Sequence, residues 1–319
     1  KKSIPRKRGL MPNEIEVQLA EANRAYIIAP AGYGKTELIA RAVLPKTSGK
    51  ELLLSHTHAG VRSLRTRLRP TGVSSSRYSV DTIASWGLRL AANYPQLSGL
   101  QNSQPKGQEW SDVYLAAERL LGNSHIQNSV RLTYSGLYVD EYQDCTQSQH
   151  QLIMALTTLL PTRILGDPLQ GIFGFGNDPL VDWDSDVYPN FENLGELREP
   201  WRWRNANPEL GRWLDEVRNA LLAGNEINLQ EAPEGASVQW INANQQGSAR
   251  IACFQVARQA GSVVAIHQWD HQAHQLASQL RGTYTSMEEV ECRDLQDWAK
   301  RIDEAQGNQL AVIVIDVAS

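Results

Sequence analysis

The chain has 319 residues, of which 41% are apolar, with a net charge of −4 and a pI near 6.0. This length allows two globular domains, each with its own core. The negative net charge argues against a protein that coats nucleic acid by bulk charge. A local basic groove is compatible with the same net charge. No apolar run approaches the roughly 20 residues that span a bilayer and no signal peptide pattern is present, so we predict no membrane association. Three widely spaced cysteines favour a reducing, cytoplasmic location.

A phosphate-binding loop is predicted after the apolar run Tyr26-Ile27-Ile28, which is typical of a buried strand. Its two glycines permit a tight turn that aims backbone N–H groups inward, and Lys35 can reach the β- and γ-phosphates. The Thr36 hydroxyl can hold Mg²⁺, and a helix over 37–43 turns its positive end toward the same phosphates. The pattern thus predicts a nucleoside triphosphate with Mg²⁺. The predicted loop residues are Ala29, Pro30, Ala31, Gly32, Tyr33, Gly34, Lys35 and Thr36.

Strands and helices alternate after the loop. Further strands are predicted at 52–55, 137–139 and 163–165, with helices at 59–68 and 148–159, which is typical of a parallel sheet. The region 177–193, rich in Asp, Pro and Asn, is predicted to be a long surface loop and the domain boundary. We therefore predict a basic tail at 1–9, a first α/β domain at 10–193 with a small insertion near 87–136, and a second α/β domain at 194–319.

The second predicted domain begins with apolar residues at helical spacing between Leu210 and Leu221. Strands are then predicted at 238–241 and 263–266, with a helix between them and further helices near 271–280 and 293–302. The last apolar run, 310–317, is predicted to be a core strand with nothing after it. A domain that stops on a core strand is expected to be incomplete.

Two adjacent carboxylates follow the strand predicted at 137–139. Ligands of open parallel sheets bind at the carboxyl ends of their strands, where Asp140 and Glu141 lie. Asp140 can hold Mg²⁺, and Glu141 can position and deprotonate the attacking water. The doublet follows the phosphate loop by about a hundred residues, with strands and helices between them, so together the two sites predict nucleoside triphosphate hydrolysis.

The residues from 140 to 144, DEYQD, are similar to the DExQD box of superfamily-1 helicases of the UvrD/PcrA/Rep type. Other segments resemble that family's motifs in the same order. The loop at 29–36 resembles AxxGxGKT, which accepts Ala29 at its first position. Segments 55–67, 82–85, 166–175 and 197–204 resemble the family's TFTNxAAxxMxxR, TFHS, GDxxQxIYxW and xNYRS elements, with Ala84 where TFHS has His. The likeness covers about residues 10 to 205.

The resemblance implies two RecA-like (P-loop NTPase) domains with parallel sheets, the second incomplete in this chain. It implies an ATP-dependent 3′–5′ single-stranded DNA translocase or helicase that uses ATP and Mg²⁺. By resemblance, Gln170 contacts the γ-phosphate, Arg202 stabilises charge on the transferred phosphoryl group, and Gln18 contacts adenine. The implied DNA-contacting residues are Thr57, His58, Arg65, Thr82 and Phe175.

Three departures from the family pattern keep alternatives open. The two late motifs, resembling QGLE and VALTRA, are not found before Ser319, the chain has Gly176 where the family has Arg, and the core lacks large insertions. The first alternative is a helicase-like nucleotide- or DNA-sensing subunit that regulates a partner nuclease of the OLD family in an antiphage complex. The second is a P-loop ATPase that binds no nucleic acid.

Overall fold

The computed structural model describes residues 12–43, 49–172, 177–242, 247–259, 261–267, 269–280 and 282–285. The chain divides into two compact units, Lys1–Val238 and Gln239–Ser319. The first unit holds the phosphate loop and the acidic doublet, so the fold is set out mainly for that unit.

A parallel sheet forms the centre of the first unit. Its strands are β1 (Arg24–Ile28), β2 (Glu51–Ser55), β3 (Tyr78–Thr82), β4 (Gly136–Asp140), β5 (Thr162–Gly166) and β6 (Glu192–Glu196). Among the described residues they form one six-stranded sheet in the order β3-β2-β4-β5-β1-β6. Strands β2, β4 and β5 are buried along their whole length, since helices cover both faces of the sheet.

Helices form a layer on each face of this sheet. Their bounds are α1 (Pro12–Glu21), α2 (Lys35–Ala42), α3 (His58–Leu68), α4 (Ile83–Asn93), α5 (Pro95–Ser98), α6 (Glu109–Leu121), α7 (Ser124–Thr133), α8 (Gln147–Thr157) and α9 (Pro208–Ala223). Side chains alternate along a strand, so Leu53 packs with α1, α2 and α3, whereas Leu52 and Leu54 pack with α4, α6, α7 and α8. The first unit therefore has two hydrophobic cores, one on each side of the sheet.

The strand register brings the motif segments to one edge of the sheet. At the carboxyl ends, Ser55 of β2 lies beside Thr82 of β3 and Asp140 of β4, and Ile28 of β1 lies beside Gly166 of β5. The residues that follow these strands meet at this carboxyl edge, which is where open parallel sheets bind ligands.

The fold class predicted for the first domain is confirmed by this sheet. All four predicted strands lie within or beside β1, β2, β4 and β5, and the predicted helices correspond to α2, α3 and α8. Strands β3 and β6 were not predicted because each has a weak apolar pattern. Among their residues, Val80 and Leu194 are the buried apolar ones, since both strands lie at edges of the sheet.

The region 177–193 is not the surface loop that the sequence predicted. Val181, Trp183, Val187 and Phe191 are each at most 7% exposed and pack into the core on the α8 side. Trp183–Val187 form a short π-helical turn. The sequence prediction gave more weight to the frequent Asp and Asn residues of this region than to the apolar residues between them. The predicted boundary after residue 193 falls inside β6, and the first compact unit continues to Val238.

The second unit contains two helices in its described part, α10 (Ser248–Gln259) and α11 (Asp270–Gln279), close to two of the predicted helices. The predicted strands at 238–241 and 263–266 are not strands in the structure. Ile266 is 92% exposed and Val264 is 77% exposed, so neither packs into a core formed by the described residues. The predicted helix at 293–302 and strand at 310–317 lie outside the described residues, and a second RecA-like domain stays a prediction. Within the described residues, no helix has the length and apolar character to cross a membrane.

Candidate functional site

The phosphate loop is a tight turn between β1 and α2. Gly32 and Gly34 have φ angles of 83° and 91°, in the left-handed region that glycine adopts without strain. A Cβ on Gly32 would lie 2.9 Å from the Cβ of Arg202, and one on Gly34 would lie 3.3 Å from Cδ1 of Trp201. Both glycines are therefore needed for backbone conformation and for close approach, and the backbone here has the shape of a phosphate cradle at a helix N-terminus.

Two side chains of the loop reach the acidic doublet at the end of β4. Lys35 is 6% exposed, and its Nζ lies 2.9 Å from Glu141 Oε2 while it donates to the Ala29 carbonyl at 3.0 Å. The Thr36 hydroxyl donates to Asp140 Oδ2 at 3.2 Å. The structure therefore brings together the two sites that the sequence placed about a hundred residues apart.

The environment of Asp140 suits a divalent cation. Its side chain is buried, and burial together with the neighbouring charge of Glu141 raises the pKa of Asp140 to about 7, against the opposing effects of Lys35 and Thr36. A bound cation favours the ionised carboxylate and offsets this cost. In the described ranges, no group of three or more His, Cys, Asp or Glu side chains could hold a metal. Thr36 and Asp140 could supply oxygen ligands to Mg²⁺ here, with the other positions left to phosphate oxygens and water.

Glu141 has an unusual backbone. Its φ of 56° is in the left-handed region, which costs a residue other than glycine about 1–3 kcal/mol and is most often tolerated at functional sites. Its backbone N–H donates to Asp140 Oδ1 at 3.0 Å. The side chain is 35% exposed, so one carboxylate contacts Lys35 and still faces solvent, as a base acting on water must.

Gln143 links the acidic doublet to the segment after β5. Its amide nitrogen donates to Glu141 Oε2 at 2.8 Å and to Asp144 Oδ2 at 3.2 Å, and its amide oxygen accepts from the Asp167 N–H at 3.1 Å. A Cβ on Gly166 would lie 2.7 Å from that oxygen, so the close approach requires glycine. The orientation of Glu141 is thereby coupled to the GDxxQ-like segment.

Gln170 and Arg202 contact different segments of the candidate site. The Gln170 amide donates to Asp167 Oδ2 at 2.5 Å and is half-buried. The Arg202 N–H donates to the Gly32 carbonyl at 3.0 Å, and its exposed guanidinium lies 5.9 Å from the centre of the Trp203 ring. The backbone of Arg202 therefore contacts the phosphate loop, while its charged group rests on an aromatic face.

The predicted DNA-contacting residues divide into two groups. Thr57 and His58 are exposed at the start of α3, where the Thr57 hydroxyl accepts from the Gly60 N–H at 3.0 Å, and Arg65 is exposed while donating to the Val80 carbonyl at 2.9 Å. Thr82 is 3% exposed, and its hydroxyl caps α4 by accepting from the Ser85 N–H at 2.9 Å. Phe175 lies outside the described residues.

Gln18 lies on α1, the helix that precedes β1 and the phosphate loop. It is exposed on α1, and its backbone carbonyl accepts from the Ala22 N–H at 2.9 Å. Its role as an adenine contact stays a prediction.

Sequence reasoning missed several residues that shape the site. Gln143 belongs to the DEYQD segment and Asp167 to the GDxxQ-like segment, and the sequence analysis assigned neither residue a role. Their positions within these motifs are the signal that could have indicated one. Trp201, which approaches Gly34, lies in the segment that resembles xNYRS, but that resemblance assigns it no contact with the phosphate loop. Arg218 had no sequence signal, because it is one arginine on an amphipathic helix.

Comparison with known proteins finds a family match over part of the chain. Residues 91–178, which include the acidic doublet and the Gln170 segment, match the family model described as UvrD/REP helicase N-terminal domain. Over these residues, the match confirms the resemblance to superfamily-1 helicases of the UvrD/Rep type. Among curated proteins, no sequence matches.

Solved structures of helicases are similar to this chain at low identity. The arterivirus nonstructural protein 10 helicase in complex with DNA has 18% identity and a TM-score of 0.32, with 58% of this chain and 38% of that one covered. The Pif1 helicase from Bacteroides, in complex with ADP-AlF3 and single-stranded DNA, has 11% identity and a TM-score of 0.40, with 88% and 59% covered. The chain thus spans 38% and 59% of the lengths of these two proteins.

Proposed function

We propose that this protein is a DNA-dependent ATPase that moves along single-stranded DNA as a helicase or translocase. The observation that carries the proposal is the meeting of Lys35 with Glu141 at 2.9 Å and of Thr36 with Asp140 at 3.2 Å. A phosphate cradle, a buried metal-binding carboxylate and a more exposed carboxylate at one edge of a parallel sheet are the groups that triphosphate hydrolysis requires.

The loop from Ala29 to Thr36 binds the phosphates of ATP through its backbone N–H groups, and the N-terminus of α2 adds positive potential. Lys35 contacts the β- and γ-phosphates, while Thr36 and Asp140 hold Mg²⁺. When bound, Mg²⁺ neutralises charge on the phosphate oxygens. Glu141 orients the attacking water and accepts its proton, and Gln143 fixes the direction of the Glu141 carboxylate through the 2.8 Å hydrogen bond.

Gln170 and Arg202 have proposed roles at the γ-phosphate. Gln170 contacts it after leaving Asp167, and Arg202 turns from Trp203 toward the loop that its own backbone already contacts, where it stabilises charge on the transferred group. Gln18 as an adenine contact stays a prediction by resemblance.

Single-stranded DNA is proposed to lie along the carboxyl edge of the sheet. Thr57 and His58 are exposed beside it, Arg65 supplies positive charge, and β3 places Thr82 level with Ser55 and Asp140. Single-stranded DNA bound beside the residues that follow β2 and β4 lies next to the acidic doublet, where it can change the rate of ATP hydrolysis. Movement from 3′ to 5′ is proposed by resemblance to the UvrD/Rep family.

The test is ATP hydrolysis with and without single-stranded DNA. We expect the rate to rise strongly with DNA and to vanish in Lys35→Ala, because the phosphates lose their cationic partner. Lys50→Ala is the matched control, since Lys50 precedes β2 at the opposite edge of the sheet, and it should hydrolyse ATP normally. A Lys35→Ala variant that hydrolyses ATP like the unmodified protein contradicts the proposal.

A DNA-independent rate has a different meaning. If DNA leaves hydrolysis unchanged while a co-purified nuclease gains activity, the protein is a regulatory subunit and not a translocase. If neither effect occurs while ATP is hydrolysed, the protein is an ATPase without a nucleic-acid substrate. Translocation on strands blocked at either end tests the 3′–5′ direction.

A further inference from the structure

Helix α9 is attached to the rest of the first unit by a buried ion pair. Along the helix, the buried residues are Gly211 and Arg218, so α9 does not dock through a buried apolar stripe. The Arg218 side chain is 10% exposed, and its Nη1 lies 2.6 Å from Asp167 Oδ2, a carboxylate that is 2% exposed. Its Nε and Nη2 both lie 3.2 Å from Glu196 Oε1 on β6. Arginine is rarely buried to this extent without a specific partner.

Asp167 is the point where this ion pair meets the candidate active site. Its Oδ2 accepts from both Arg218 Nη1 at 2.6 Å and the Gln170 amide at 2.5 Å, while its Oδ1 accepts from the Leu169 N–H at 3.2 Å. Gln170 is the residue proposed to contact the γ-phosphate. Both amide hydrogens of Gln170 are on the nitrogen that Asp167 holds, so contact of this amide with a phosphate competes with the Asp167 carboxylate for that nitrogen.

When the Gln170 amide moves away, Asp167 Oδ2 depends on Arg218, while Oδ1 keeps the Leu169 N–H. A buried carboxylate that loses its partner is strongly unfavourable, so without another donor Asp167 would hold the Gln170 amide back. Arg218 stays in place after Gln170 moves, because it is fixed on its other side by Glu196. The guanidinium can satisfy both carboxylates at once, whereas the single ammonium of lysine cannot span them with the same geometry.

We propose that Arg218 is a positioning residue that frees Gln170 to recognise the γ-phosphate by keeping the Asp167 carboxylate neutralised. This inference rests on the proposed function and extends it from the phosphate loop to α9. Hydrolysis therefore depends on a helix that supplies no group to the nucleotide. Discrimination between di- and triphosphate depends on it too.

The experiment is a double-mutant cycle on Arg218 and Gln170 with two readouts. One is the ratio of the dissociation constants of ADP and ATPγS, which needs no hydrolysis, and the other is kcat for ATP. We expect Arg218→Lys to lower the ratio about fivefold and kcat about tenfold, with little change in KM. In a Gln170→Ala background, Arg218→Lys should have no further effect on either, because its influence passes through Gln170.

Two controls separate positioning from a merely structural role. Arg212→Lys changes an exposed arginine of the same helix, which pairs with Glu209 at 3.7 Å, and should leave both readouts unchanged. Glu196→Gln removes the other charge but keeps an oxygen that accepts from Arg218, so it should lower the melting temperature while it changes the nucleotide ratio less than Arg218→Lys does. If Arg218→Lys does not fold, Asp167→Asn with Arg218→Gln removes both buried charges together. No carboxylate then holds the Gln170 amide, so this pair should keep the ADP/ATPγS ratio close to that of the unmodified protein, and a ratio lowered about fivefold would overturn the inference.

The inference is overturned if the effects of the Arg218 and Gln170 changes multiply, or if Arg218→Lys leaves the ADP/ATPγS ratio intact. If the unmodified protein binds nucleotide but does not hydrolyse ATP, the proposed function is contradicted instead. The ratio of the ADP and ATPγS dissociation constants then still tests the role of Arg218. If the unmodified protein binds neither nucleotide, both proposals fail.

Discussion

Gly32 and Gly34 show how single residues set the shape of the phosphate loop. Both lie in the left-handed backbone region, and both face the segment that contains Trp201 and Arg202. The sequence pattern predicted the need for a tight turn. It could not predict the second constraint, since the packing of residues about 170 positions later against the loop has no local signal.

Replacement of Gly32 by alanine tests that second constraint. Gly72 is the matched control, because its φ of 74° is similar but nothing lies within 4 Å of an added Cβ. We expect Gly72→Ala to cost about 1–2 kcal/mol of unfolding free energy from backbone strain alone. Gly32→Ala should cost about 1 kcal/mol more, because its Cβ meets Arg202 at 2.9 Å. Urea denaturation measures both, and equal losses would contradict the contact between the loop and Arg202.

Some side chains of the site can be predicted from a local sequence pattern, whereas others matter only through contacts with residues far away in the sequence. Lys35, Thr36, Asp140 and Glu141 could be predicted, because each follows a buried strand within a recognisable motif. Arg218 could not, because its significance comes from the buried carboxylate that it meets 51 positions away in sequence. A charged residue on a helix is ordinarily exposed, and nothing local indicates an exception.

Helix α8 shows what the sequence can specify at the scale of one element. Thr146 precedes it, and the Thr146 hydroxyl and the Gln149 side chain form a reciprocal capping box with each other's backbone N–H groups. Leu152, Ile153 and Leu156 then face the core. The capping residues and the apolar spacing indicate the same helix, so the predicted helix at 148–159 is close to the observed α8.

Loss of this cap should destabilise the first unit measurably. Thr146→Ala removes the oxygen that accepts from the Gln149 N–H and should cost about 1 kcal/mol of unfolding free energy. Thr158→Ala changes an exposed threonine at the other end of α8 and should change it by less than about 0.5 kcal/mol. Chemical denaturation of both variants provides the measurement, and a loss for Thr158→Ala as large as that for Thr146→Ala would argue against a specific cap.

Elements at the sheet edges were harder to predict than central ones. Strands β2, β4 and β5 are continuous apolar runs because both of their faces are covered, whereas β6, ENLGE, has Leu194 as its buried apolar residue. The reverse error occurred at 263–266, where an apolar run is exposed and forms no strand. Apolar composition predicts a strand only where the fold supplies partners for its backbone and side chains.

At the scale of the whole molecule, the net charge of −4 means that attraction to DNA must be local. Helix α3 has no acidic residue in its first turn and has Arg65 and Arg67 in its last. Binding that depends on a few such cations weakens steeply as salt displaces the protein from the phosphates.

The salt dependence of single-stranded DNA binding tests this local attraction. Each phosphate contact contributes a slope of about −0.7 in log K against log salt, so Arg65→Gln should make the slope shallower by about that amount. Arg131→Gln removes the same charge from α7, which precedes the amino-terminal edge of β4, and should leave the slope unchanged. Fluorescence anisotropy at several salt concentrations measures both. Equal changes in slope would mean that DNA responds to total charge and not to the proposed edge.

The central claim is that Glu141 activates water for a nucleotide held by the loop of Lys35 and Thr36. Single-turnover hydrolysis by Glu141→Gln tests it most directly, alongside ATP affinity and the control Glu192→Gln, which changes an exposed carboxylate at the opposite edge of the sheet. We predict that Glu141→Gln lowers the rate by about 10²–10⁴-fold while ATP affinity is retained, and that Glu192→Gln changes neither. A Glu141→Gln protein that hydrolyses ATP at the unmodified rate would contradict the account.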